Sequence, residues 1–136
     1  MAMGLRTVVL LAVSACGGSR PATIVPLPGT SWVLQDIGGA PVVAPGRATL
    51  SFDESGRASG DGSCNRFSGP ATFTGDSLAF GPLISTKRAC VEEALNAQET
   101  RYLAALETAR RYVVTGDTLL IQVADGGPLR FVRAAP

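Results

Sequence analysis

Only one stretch of this chain repeats its apolar residues with the period of a helix. In VEEALNAQETRYLAALETAR, residues 91–110, the positions Val91, Leu95, Gln98, Tyr102, Leu106 and Ala109 recur every three or four residues and form one stripe. Glu92 and Glu93 fall in its first turn and Arg110 and Arg111 at its last, the order that the helix dipole favours. The rest is short and interrupted, cut by 16 glycines and 9 prolines in 136 residues. Runs of that length suit strands, and turn residues between them suit hairpins. Such a chain hides its apolar faces by curling antiparallel strands and laying the single helix over the open face or end.

The runs can be placed individually. TSWVLQDI (30–37) reads as a first strand carrying Trp32 and Leu34. RATLSF (47–52) alternates cleanly, with Ala48, Leu50 and Phe52 on one face and Arg47, Thr49 and Ser51 on the other. DESG (53–56) turns the chain and RASG (57–60) begins a return strand. FSGPATF (67–73) and SLAF (77–80) flank a TGD turn. After the helix come RYVVT (111–115), TLLIQVA (118–124) and PLRFVR (128–133), joined by GD and DGG hairpin turns. The predicted fold is α+β and predominantly antiparallel β: a small barrel-like curled sheet covered by one helix, with a C-terminal three-stranded meander. Trp32, Leu50, Phe52, Tyr102 and Leu106 are the expected core.

The opening segment reads as an address. Residues 1–15 combine Arg6, a short apolar run from Thr7 to Val13 and the small residues Ser14 and Ala15. That is the layout of a secretory signal and is too short to span a bilayer. Val13-Ser14-Ala15-Cys16 resembles a bacterial lipobox, which implies cleavage before Cys16 and acylation there. Two or three acyl chains anchor stably where one would not. Residues 16–29, rich in Gly and Pro, then read as a tether, with the folded domain at 30–136. Gly17, where an inner-membrane retention signal would place Asp, favours the outer membrane, facing the periplasm. The alternative is a buried N-terminal strand with an incidental cysteine.

Composition narrows the chemistry. Histidine is absent, which excludes Ser–His, Cys–His and metal–histidine catalysis. The formal net charge is +1 with acids and bases interspersed, so no nucleic-acid field exists. Gly60 and Gly62 are followed by Asn65 and form no phosphate-cradling G-x-G-x-x-G. Ser85 and Lys87 lie two apart and could imitate a Ser–Lys dyad, but nothing argues that Lys87, the sole lysine, is desolvated. Glu92–Glu93 and Asp53–Glu54 are sequence neighbours at a helix start and a turn, not a separated catalytic pair. No catalytic residue, metal or cofactor is expected.

In an oxidising compartment Cys64 and Cys90 read as a disulfide, with free thiols or a redox pair as the alternatives. A bond would draw Arg66, Lys87 and Arg88 into one neighbourhood, with Asp61 the nearest acid in sequence. Such a basic patch could hold an anionic group such as a lipid phosphate or peptide carboxylate; the alternative is a solvated face paired to Glu92 or Glu93. Asn65 could orient a ligand amide, but more simply it satisfies the backbone of a tight corner, since Asn tolerates left-handed geometry.

Around these cysteines, SGDGSCNRFSG (59–69) and STKRAC (85–90) resemble the META domain of HslJ-like bacterial lipoproteins. The resemblance rests on Trp32; on Gly60, Cys64, Asn65, Phe67 and Gly69; on Thr86, Lys87 and Cys90; and on Glu99, Tyr102, Leu103 and Leu106 in the helix. It covers about residues 30–133. It implies an antiparallel β domain with one helix, a setting in envelope stress and virulence, and no agreed biochemical activity. The partners to expect are a membrane through the anchor, and either an anionic envelope component or an envelope protein that an inhibitor- or chaperone-like module would engage.

Overall fold

The computed structural model describes residues 23–136, together with the isolated positions 12 and 17. Cys16 and the rest of the expected signal segment lie outside the described residues. Eleven strands and one helix follow in order: β1 (Ser31–Ile37), β2 (Ala40–Pro41), β3 (Thr49–Phe52), β4 (Ala58–Asp61), β5 (Arg66–Gly69), β6 (Ala71–Thr74), β7 (Ser77–Phe80), β8 (Ile84–Ser85), α1 (Glu93–Glu107), β9 (Ala109–Thr115), β10 (Thr118–Val123) and β11 (Leu129–Arg133). They form one curled antiparallel sheet in the order β6-β7-β9-β10-β11-β1-β3-β4-β5-β8, with β2 paired to β1. β1 lies between β3 and β11, so the first strand pairs with the last.

Alternation sets the inner face. Trp32 and Leu34 from β1, Leu50 and Phe52 from β3, Leu119 and Ile121 from β10, and Leu129 and Phe131 from β11 are all buried. The C-terminal meander takes the predicted order, its two hairpins closed by the Thr118↔Thr115 and Ile121↔Leu129 pairings. The helix lies over the curl through Tyr102, whose ring packs 5.8 Å from Phe67 and 6.1 Å from Phe131 between centroids. Leu106 is buried below it.

Three local expectations are corrected, and two short strands are added. The run 67–73 is two strands: Pro70 lacks an N–H and breaks the ladder. There the chain passes from β5, near one edge of the sheet, to β6 at the other, and Gly81 N–H donates to Pro70 O at 2.9 Å. The helix is shorter than 91–110. Val91 stands fully exposed, and Thr108 N–H closes the last turn onto Ala105 O. Ala109, Arg110 and Arg111 join β9 because the β10 ladder claims them. β2 and β8, two residues each, escape a periodicity reading. The segment 16–29 is not all tether: Leu27 is completely buried and Tyr112 O–H donates to Val25 O at 3.1 Å. Burying a Leu side chain stabilises by about 1.5–3 kcal/mol, which contributes to docking this segment on the core.

Candidate functional site

The corner between β4 and β5 folds as a polar knot around the cysteines. Asp61 Oδ1 accepts the Ser63 N–H at 2.9 Å, and Ser63 takes φ 115°. The left-handed position is therefore Ser63, not Asn65. Cys64 is bonded to Cys90, with Cα atoms 5.5 Å apart. From the helix, Glu99 reaches under this loop: Oε2 accepts the N–H of Cys64 and of Asn65, each at 2.7 Å. Oε1 accepts the Asn65 side-chain amide at 2.6 Å. Asn65 in turn clamps the following loop, its amide donating to Arg88 O at 2.7 Å and its Oδ1 accepting Arg88 N–H at 2.6 Å and Thr86 Oγ1–H at 2.9 Å.

Thus Asn65, Thr86 and Glu99, three motif residues far apart in sequence, hold one another and the backbone. Glycine at 60 and 62 follows from close approach: a Cβ at Gly60 would meet Thr49 O and the Phe67 ring, and one at Gly62 would press on Glu99. Trp32 and Tyr102 serve the core. Trp32 Nε1–H donates to Thr30 Oγ1 at 2.7 Å and Tyr102 O–H to Thr49 O at 2.9 Å. Burial pushes the Tyr102 phenol well above its ordinary 10.0, with the Asp61 charge adding to it.

The helix supplies two further clamps that sequence reasoning missed. Gln98 donates to Val43 O and Ser63 Oγ and accepts Val43 N–H at 2.6 Å. Asn96 both donates to Cys90 O and accepts Cys90 N–H, at 2.9 Å each. Gln98 had a legible signal, since a polar residue on the buried stripe demands partners.

The three basic residues sit near the disulfide but do not share one hollow. Arg66 lines a hollow of about 590 Å³ with Arg47, Ser59 and Asp61. Lys87 and Arg88 line another, of about 520 Å³, between β8 and the exposed side of α1. None of the three makes an ion pair among the described residues; the three pairs present are Arg111–Asp76, Arg130–Asp36 and Arg133–Asp117. The expected alternative of pairing to Glu92 or Glu93 is therefore not observed. Ser85 borders the second hollow beside Lys87. Among the described residues no cluster of His, Cys, Asp or Glu is arranged to hold a metal ion. Nor is any helix there long and apolar enough to cross a membrane.

Solved structures share this architecture. An NMR structure of a protein from Burkholderia xenovorans is 27% identical, covers 88% of this chain and 97% of its own, and superposes with a TM-score of 0.67. A second NMR structure, also 27% identical, covers 78% and 90% with a TM-score of 0.64. A crystal structure of a DUF4847 family protein from Bacteroides vulgatus, 14% identical with a TM-score of 0.55, covers 78% and 93% and shares the fold. No curated protein matches the chain. Residues 25–136 match the META domain family, beginning where Val25 and Leu27 dock on the sheet, and on that match together with the shared fold the chain belongs to the META domain family.

Proposed function

We propose that this chain is an envelope lipoprotein whose META domain is a non-enzymatic binding module, held at the outer membrane through acylated Cys16 and facing the periplasm. The observation that carries the reading is how the motif residues are used. Asn65, Thr86 and Glu99 are engaged with one another and with backbone groups, so the residues that define the corner build a rigid scaffold and leave recognition to its surface. The Cys64–Cys90 bond supports an oxidising compartment. Arg66, Lys87 and Arg88, which make no ion pair among the described residues, support an anionic envelope component or an acidic segment of an envelope protein as the bound partner; a role in envelope stress is what the family resemblance implies.

The test is the intact mass of the protein from the membrane fraction of its native host, alkylated with and without prior reduction. The expected mass begins at Cys16 and carries two or three acyl chains, with Cys64 and Cys90 alkylated only after reduction. A chain that retains Met1 and has two freely alkylated thiols would place it in the cytosol and end this reading.

A further inference from the structure

Among the described residues β8 forms one end of the sheet's strand order and pairs with β5 alone. Thr86 donates its N–H to Arg66 O at 3.0 Å. By the two-residue alternation of an antiparallel ladder, Ser85 and Lys87 therefore turn their N–H and C=O groups away from β5. Those groups have no protein partner among the described residues. Beyond them lies the hollow of about 520 Å³, walled on its far side by Leu103 and Ala104 of α1. A second hollow of about 320 Å³ continues it along Phe80, Gly81 and Pro82, with Glu107 bordering both. A groove thus runs between an unpaired strand edge and a helix.

Lys87 and Arg88 line only the first hollow, without an ion pair among the described residues, and Glu107 stands where the two hollows meet. The backbone of Arg88 is fixed by two bonds to Asn65, so the cationic end is held in place before anything binds. On the outer face Ile84 is 72% exposed. An extended chain added to this edge would alternate its side chains between Ile84 outside and Leu103–Ala104 inside.

From this juxtaposition we infer that the β8 edge is a docking site for an extended peptide segment of a partner protein, added as a further strand with a carboxylate at the Lys87–Arg88 end. The inference deepens the reading of the domain as a binding module and does not depend on the lipid anchor, so a negative mass result leaves it standing and a negative binding result leaves the anchor standing.

The test pans the full-length, disulfide-bonded chain against a library of random linear peptides and measures the affinity of the enriched peptides for three proteins: wild type, Ser85→Pro and the double variant Lys87→Glu/Arg88→Glu. Ser85→Pro removes an N–H that the fold does not use. The double variant changes only exposed side chains and guards against a folding defect in the first. Enrichment of β-forming peptides bearing Asp or Glu, with binding abolished by Ser85→Pro and weakened about tenfold or more by charge reversal, is the expected result. Failure to enrich any peptide, or equal binding to wild type and both variants, overturns it. So do two other outcomes. Self-association of the wild type that Ser85→Pro abolishes would make the occupant a second copy. Binding to phosphatidylglycerol vesicles that charge reversal abolishes and Ser85→Pro leaves intact, without peptide binding, would make it a lipid headgroup.

Discussion

At Glu99 a helix lends its carboxylate to the backbone of a neighbouring loop. Three N–H donors converge on it, and a buried donor left without an acceptor costs about 1–3 kcal/mol. Glu99→Ala should therefore lower the unfolding free energy by about 3 kcal/mol, measured by urea denaturation with the disulfide intact. Glu99→Gln, which keeps the shape and one acceptor oxygen, should fall between. A loss below about 1 kcal/mol for the alanine variant would mean that the corner holds without the helix. The tyrosines respond to pH at the same scale. Burial raises both Tyr102 and Tyr112 above 10.0, and Asp61 and Asp76 respectively add to the effect. A raised folded value means that the stabilisation is complete below the unfolded value and is lost as pH climbs through and beyond it. An ultraviolet titration of phenolate should show no ionised Tyr102 until the fold opens, and stability should decline as pH rises past 10.0.

The helix begins without a side-chain cap: Glu92 occupies the N-cap position in an extended conformation and bonds none of the free N–H groups with its carboxylate. A hydroxyl reaches those groups from a shorter stem. Glu92→Ser should stabilise by about 1 kcal/mol, read as a rise in melting temperature, and no rise would mean that the first turn frays freely. Gly60→Ala should do the reverse on β4, forcing a Cβ against Thr49 O and the Phe67 ring; a loss of about 1–3 kcal/mol is expected from chemical denaturation. These elements differ in how visible they were. β3 and the final meander are written in period two, and Tyr102 and Leu106 in the helical stripe, because each buries one regular face. β2 and β8 hold two residues each and carry no period. The break at Pro70 was legible in principle, since proline cannot donate to a ladder, but where the chain went next was a matter of closure. Asn65, Thr86 and Glu99 stood out through family resemblance, whereas their mutual bonds span 21 and 34 residues. Arg47 shares a hollow with Arg66 only because β3, β4 and β5 lie side by side.

For the whole molecule the disulfide is the largest single constraint on the unfolded chain. It closes a loop with a sequence separation of 26, worth roughly 3.5 kcal/mol in the chain-entropy account. Cys64→Ser/Cys90→Ser should lower the unfolding free energy by about that amount while leaving the polar knot folded. Coincident near- and far-ultraviolet transitions of the variant would bear this out, and loss of near-ultraviolet signal under native conditions would contradict it. The strand at the centre of the sheet makes a different demand. Residues 31–37 take their partners from 49–51 on one side and 129–133 on the other. A ribosome or export channel that releases the chain from its amino end delivers half of that pairing early and withholds the rest until residue 133 has emerged. Throughout that interval Trp32 and Leu34 wait beside an open flank. Closure of the sheet around β1 therefore cannot precede the arrival of the final strand.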